Sequence, residues 1–167
     1  MIVLGIDPGY AIVGFGVIRY EKGAFIPLEY GSIITAAGDP FERRLEIIYD
    51  RLYEILDRHK PSAVSIEKLY YKNNAKTVIG VAEARGVITL ACQKHKVPIF
   101  EYTPLQVKTA VTGYGRAEKY QVQEMTRRFL RLQAVPKPDD TADALAIAIC
   151  HCQASGSALR SNFLNRR

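Results

Sequence analysis

Four acidic residues stand where acids are costly unless they are given a partner. Asp7 closes the apolar run IVLGI, and Glu67 ends the segment SAVSIE. An acid at the end of a central strand loses hydration that pairing or a metal must replace. The strand ends of an open α/β sheet are also where ligands bind. Asp140 and Asp143 are three apart at the start of a helical run, hence on one face. Each acid has a plainer reading. Asp7-Pro8-Gly9 makes a turn, Glu67 pairs with Lys68 at a surface strand end, and Asp140 and Asp143 suit a helix N-terminus. Taken together they point to hard oxygen ligands for divalent cations. The chain offers no competing set: no Ser-His-Asp pattern, no Cys-His pair in suitable surroundings and no G-x-x-x-x-G-K-[ST] loop. Hydrolysis of a phosphodiester adds negative charge to an anionic centre. Two Mg2+ ions roughly 4 Å apart stabilise the attacking and leaving oxygens and activate the water. Four packed carboxylates repel one another without such ions, so a site of this kind depends on metal.

The elements that must position these acids follow from pattern. Residues 2–6 read as a buried strand, residues 12–20 as a second and residues 24–34 as a third, an antiparallel meander. Gly14 and Gly16 allow close backbone approach to the second strand. Asp39-Pro40 predicts a helix start, with aspartate as N-cap and proline at the first helical position. That helix carries Leu45, Ile48, Leu52, Ile55 and Leu56 at helical spacing and ends near His59. A strand over 62–67, a long helix over 75–95 rich in small and apolar residues, and a short strand over 98–102 come next. Two helical pieces near 104–111 and 117–131 flank Gly113-Tyr114-Gly115, and a last helix covers 141–153. The pattern predicts an α/β fold: a five-stranded mixed sheet flanked by helices on both faces. Residues 1–153 form a single domain, and 154–167 a flexible basic C-terminal tail.

Composition narrows the class. At 167 residues with 48% hydrophobic content, the chain suits one packed domain. No apolar run nears the roughly 20 residues that span a bilayer, and the N-terminus has no basic leader, so a cytoplasmic location without a membrane partner is expected. A net charge of +6 and a pI of about 9.3 suit a phosphate-backbone binder. The cysteines are Cys92, Cys150 and Cys152, an odd number without a disulfide framework. Cys150-His151-Cys152 suggests zinc at first sight. Successive helical residues point about 100° apart, however, so ordinary helix packing is the better reading.

These residues carry a resemblance. GIDPG followed by GFGV, SIEK, EYTPLQVKTAVTGYGRAEKYQV and DDTADALAIAICHC resembles the RuvC family of bacterial Holliday-junction resolvases, in order over residues 1 to 153. GIDPG alone is similar to phosphate loops of actin-like proteins; the combination with VKTAVTGYGRAEK and DxxDALA is far more specific. The resemblance implies an RNase H-like fold and a homodimer. It implies paired, symmetric, metal-dependent cuts in two opposing strands of a four-way DNA junction, in recombination and repair. By position, Asp7, Glu67, Asp140 and Asp143 are the catalytic, metal-binding acids. The metal is Mg2+, two ions per subunit, with Mn2+ as a substitute. Asp139 matches no family position and is a bystander or helix cap. Lys108 and Lys119 match family lysines near the site and the DNA.

The family places an aromatic three residues after the glutamate, to stack on bases at the crossover. Here Tyr70 and Tyr71 share that place, and Tyr70 is favoured. A tyrosine face stacks as well as a phenylalanine face. Lys72 and Lys76 make the YYKNNAK loop basic as well as aromatic. Arg85 and Arg116, and more weakly the tail residues Arg160, Arg166 and Arg167, add phosphate contacts. A two-fold junction suits a C2 dimer, for which the helix over 75–95 offers a face. A branch-migration motor of the RuvA–RuvB type is implied as partner. Three other readings compete: a ribonuclease on the same fold, an actin-like nucleotide binder, and a non-catalytic junction-binding module. The four intact acids disfavour the last. The short chain and the lack of a second phosphate loop disfavour the actin-like reading.

Overall fold

Side-chain alternation along the first strand decides how the domain is layered. The computed structural model describes residues 1–68 and 75–164, with side chains throughout except at 75–77 and 157–164. In chain order the elements are β1 (Ile2–Asp7), β2 (Ile12–Glu21), β3 (Ala24–Ile34), α1 (Phe41–His59), β4 (Ala63–Glu67), α2 (Ala75–Lys94), β5 (Ile99–Tyr102), α3 (Pro104–Thr112), α4 (Lys119–Phe129) and α5 (Asp139–Leu164). The strands line up as β3-β2-β1-β4-β5. The first three form the expected antiparallel meander, while β1, β4 and β5 run parallel.

Even-numbered β1 residues Leu4 and Ile6 join Val13, Phe15 and Val17 of β2 against Ile48, Leu52 and Leu56 of α1 and Ile88 and Ala91 of α2. The opposite face belongs to α5, with α3 and α4 packed against it. There Val3 and Ile18 meet Leu145, Ile147 and Ile149, and Val107, Val111 and Val122 close the layer from α3 and α4. Helices therefore cover both faces, as the pattern predicts. Among the described residues no helix is long and apolar enough to cross a membrane.

Three boundaries differ from the sequence expectation. The cap of α1 is Pro40, with no side-chain cap bond, and Asp39 lies outside the helix. Pro40 keeps an extended backbone, and its carbonyl accepts from the Arg44 N–H to start the helix one residue late. The second of the two short helices, α4, begins only at Lys119, where Glu118 and Gln121 form a capping box. The last helix begins at Asp139 and continues to Leu164, so residues 154–164 extend α5 where a loose tail was expected. Its Ala-rich sequence has strong helix propensity, and Ser155 and Gly156 carry no proline to stop it.

Arg44 is a buried cation that the pattern did not single out. Its Nε donates to Thr35 Oγ1 at 2.8 Å and its Nη2 to the Tyr10 carbonyl at 3.3 Å. The guanidinium also sits 4.7 Å from the Tyr10 ring centre. Thr35 Oγ1 in turn donates to the same carbonyl at 2.6 Å. This network ties α1 and the end of β3 to the loop that follows Asp7. Arg44→Met keeps the bulk and removes the donors. Charged hydrogen bonds are worth about 1.5–3 kcal/mol each in such settings, so we expect a loss of about 2–3 kcal/mol in urea unfolding. A change below about 0.5 kcal/mol would show that the network contributes nothing to stability.

Candidate active site

The register of the sheet sets the acids in one row. Val3, Gly5 and Asp7 alternate toward α5, since an added Cβ at Gly5 would lie 2.1 Å from the Ala144 carbonyl oxygen. In the parallel pair, Gly5 sits beside Ser65, which places Glu67 on the same face one step beyond the last ladder pair, Ile6 and Ile66. On the other side Asp7 pairs with Gly14, and Gly14 with Ser32. The first turn of α5 lies across this row. An added Cβ at Gly14 would sit 1.9 Å from the Asp140 carbonyl oxygen. Thr141 Oγ1 and Ser32 Oγ share a hydrogen bond of 2.8 Å. The absence of side chains at Gly5 and Gly14 is what lets a helix backbone rest on strand backbone and bring Asp140 and Asp143 down to Asp7.

The electrostatics record how close the acids are. Burial, and then the negative charges of Glu67, Asp143 and Asp140, push Asp7 up from an ordinary 3.8 to about 8, against a smaller pull from Lys119. Burial also raises Asp143, opposed by Lys119 and reinforced by Asp139 and Asp140. Lys119 reaches into the group from the start of α4. Its Nζ lies 3.1 Å from Asp143 Oδ2 and 3.4 Å from Asp139 Oδ2. Partial burial works against its charge, but Asp143 and then Asp139 hold the ammonium above its usual value.

Beside the acids lies a cleft of about 260 Å³, lined by Glu67, Pro104, Lys108, Lys119, Val122 and Asp143 among others. The structure thus brings together Asp7, Glu67, Asp140, Asp143, Lys108 and Lys119. Arg116 is exposed on the α3–α4 connection, outside the cleft lining. Lys76 belongs to the first turn of α2, and its side chain, like that of Arg160, is not among those described. Tyr70, Tyr71, Lys72, Arg166 and Arg167 lie outside the described residues. Arg85 differs from expectation: it pairs with Glu101 and so joins α2 to β5.

Two residues acquire partners that the sequence did not suggest. Asp139, read as a bystander or cap, accepts from Lys137 Nζ at 2.7 Å and faces Lys119, and Lys137 draws its pKa down. His151 is buried and shares a 2.8 Å hydrogen bond with Tyr102 Oη. No local pattern marks either contact; only the Lys137-Pro-Asp139 spacing hints at the first. The flanking cysteines are buried thiols, pushed by burial up to about 11 at Cys150 and about 12 at Cys152. That suits packing and not thiolate chemistry.

Among the described residues no three His, Cys, Asp or Glu side chains converge closely enough to hold one ion. The acids are near enough to repel, but they are not drawn in to ligating distance. Their chemistry nevertheless fits a hard divalent cation. All four offer carboxylate oxygens, and the raised Asp7 pKa marks negative charge that Lys119 only partly offsets.

Comparison with known proteins gives the chain its family. The family profile described as crossover junction endodeoxyribonuclease RuvC matches residues 3–151. The crossover junction endodeoxyribonuclease RuvC of Ruminiclostridium cellulolyticum is 53% identical over 151 residues, covering 90% of this chain and 91% of the relative. The Thermus thermophilus RuvC structure superposes with a TM-score of 0.88 at 35% identity, covering 95% of this chain and 97% of that one. A second structure, T. thermophilus RuvC in complex with Holliday junction substrate, gives 0.87 at 36% identity, with coverage of 90% and 92%. The mixed sheet with helices on both faces is the RNase H-like fold of these resolvases. This chain belongs to the crossover junction endodeoxyribonuclease RuvC family.

Proposed function

We propose that this protein is a structure-selective endonuclease that resolves four-way DNA junctions by paired, symmetric, metal-dependent cuts in two opposing strands. The observation that carries the reading is the row of mutually repelling acids, Asp7, Glu67, Asp140 and Asp143, opening beside a cleft that also holds Lys108 and Lys119. Among the relatives, T. thermophilus RuvC has a structure in complex with Holliday junction substrate, which supports the same substrate here.

The four acids would hold the metal, Mg2+ with Mn2+ as a substitute and two ions per subunit. Bound there, divalent cations would supply Lewis-acid stabilisation of the phosphate and lower the pKa of attacking water. The chain's own part is to present these oxygens from two neighbouring strand ends and one turn of α5. Lys108 and Lys119 bind the scissile phosphate and offset its developing charge. Lys119 pairs with Asp143 and Asp139 and lines the same cleft, so its ammonium stands where a substrate phosphate would enter. Tyr70, with Tyr71 beside it, stacks on bases at the crossover, and Lys72, Lys76 and Arg116 hold backbone phosphates.

Two copies of the chain match the two-fold substrate. α2 offers a face for this: exposed Ile79 and Leu90 share a stripe with exposed Gly86, where nothing would meet an added Cβ. A motor of the RuvA–RuvB type is the natural partner on the same junction, in the cytoplasm. Residues 1–153 act as one catalytic domain.

A labelled four-way junction and its matched duplex, each with Mg2+ or EDTA, test the reading. We expect paired nicks at symmetric positions on the junction, requiring metal, with duplex cut at least about a hundredfold more slowly, a difference of about 2.7 kcal/mol in barrier. Equal cutting of duplex, or of RNA, would overturn the assignment.

A further inference from the structure

The sequence CHC within α5 is a motif that the proposed chemistry leaves unused. Its histidine, His151, is only 4% exposed, yet both ring nitrogens are engaged. Nδ1 lies 2.8 Å from Tyr102 Oη, and Nε2 lies 3.2 Å from Ser155 Oγ. The ring also rests on Phe100, with centres 4.4 Å apart. Burial lowers the pKa of His151 and pushes Tyr102 up to about 12, so the pair is a neutral imidazole and a phenol. The tautomer that satisfies these groups has Tyr102 donating to Nδ1 and Nε2–H donating to Ser155.

The position of this pair matters more than its polarity. On its β1–β2 side, α5 meets glycines, and strand backbone stops the helix directly. Toward β5 the sheet presents Phe100 and Tyr102 instead, on the face that Ser65 and Glu67 share by register. A helix seated on backbone along one edge and on side chains along the other can roll. Asp143, Ile147, His151 and Ser155 repeat at four-residue intervals and form one stripe on α5. The upper end of that stripe, Asp143 and Ile147, lines the cleft with Glu67. Its lower end is bonded to Tyr102, the strand partner of Glu67. The bond therefore closes a ring of structure that contains both acids. Side chains reach about 5–6 Å from a helix axis, so a roll of about 10° moves a carboxylate by roughly 1 Å. A misplacement of that size costs about a hundredfold where groups must be held in a reactive geometry.

We infer that His151, through Tyr102, is a positioning residue: it fixes the roll of α5 and so sets Asp143 against Glu67 for metal. This rests on the four-acid reading of the site. It is tested by titration calorimetry with Mn2+ on the full chain without DNA, beside junction cleavage at saturating metal and junction binding in EDTA. Tyr102→Phe removes one hydroxyl, His151→Phe removes both hydrogen bonds, and His151→Asn keeps an amide near the Nδ1 position. The expected result is Mn2+ affinity lowered about fivefold by Tyr102→Phe, the size of one hydrogen bond, and further by His151→Phe. His151→Asn should recover part of that loss, and junction affinity should stay unchanged throughout. Parent-like metal affinity in Tyr102→Phe would overturn the inference, even if His151→Phe failed to fold. A parent protein that cuts junctions yet binds no Mn2+, or keeps its Mn2+ affinity after Asp7→Asn, would overturn the four-acid reading and this inference with it.

Discussion

Asp7→Asn should reduce junction cleavage by about a thousandfold or more, leave the junction bound, and raise the melting temperature of the metal-free protein. The loss of rate follows from the loss of one anionic metal ligand. A metal centre contributes several kcal/mol of transition-state stabilisation, and about 1.4 kcal/mol is a factor of ten. The gain in stability follows from the same acid. In the folded protein, burial and the charges of Glu67, Asp143 and Asp140 carry Asp7 from 3.8 to about 8. Between those values the folded chain holds a proton that the unfolded chain has released. This favours folding fully below pH 3.8, and the advantage is lost as pH rises through about 8. Metal-free parent protein should therefore melt lower near pH 8 than near pH 5, and added Mg2+ should restore it. Asparagine cannot ionise, so this acid's share of the pH dependence should vanish. Near pH 8 the variant in EDTA should melt roughly 3–6 °C higher, taking about 2–4 °C per kcal/mol for a chain of this size. Near-parental cleavage by the variant would remove Asp7 from the metal set. A lower melting temperature in EDTA would mean that its carboxylate is stabilising, contrary to the repulsion described.

The same acid shows why the site was readable before the fold was known. A carboxylate at the end of IVLGI, another at the end of SAVSI and a pair three apart on a helix are local patterns. Each also has a local explanation, and only the resemblance selected Asp140 and Asp143 over Asp139. The sheet was legible for a similar reason: alternation and the Asp-Pro-Gly turn mark the meander without reference to anything distant. What was not legible depends on partners far along the chain. Asp139 is tied to Lys119, from α4, as well as to nearby Lys137. Arg44 is explained by Tyr10 and Thr35, and His151 by Tyr102, 49 residues before it. Arg85 was read from its charge as a phosphate contact, but a charge does not disclose that Glu101 lies opposite. The end of α5 was set too early because ASGSALRSNFLNRR reads as a loose basic tail, whereas a helix already held by packing continues through weak formers.

Gly14→Ala should cost cleavage far more than it costs folding, and comparison with Gly16→Ala shows why. Both glycines lie beneath α5 on the same strand. A methyl group at Gly16 would meet chiefly the Leu145 side chain, with Cδ2 at 2.5 Å and Cγ at 2.8 Å, and the Leu145 Cα only at 3.2 Å. The buried Leu145 side chain must repack and the helix backbone give by a few tenths of an ångström, at an overpacking cost of about 1–3 kcal/mol. A methyl group at Gly14 would meet the Asp140 backbone, with the carbonyl oxygen at 1.9 Å and the carbonyl carbon at 2.4 Å. Backbone has no rotamer to change, so the first turn of α5 must lift, and the Ser32–Thr141 hydrogen bond must lengthen or break with it. The group displaced is itself one of the four acids, and an aspartate moved by about 1 Å loses roughly a hundredfold in rate. We therefore expect Gly14→Ala to lower cleavage at saturating Mg2+ by about a hundredfold, with junction affinity in EDTA within about twofold of the parent. Gly16→Ala should lower the urea midpoint by a similar amount while keeping cleavage within about fivefold. Single-turnover cleavage rates and urea unfolding of both variants decide the matter. If the two lose activity in proportion to their loss of stability, close seating of α5 on β2 serves the fold alone. If only Gly14→Ala loses activity, the missing side chain at that position is part of how the site is built, since it lets Asp140 stand beside Asp7.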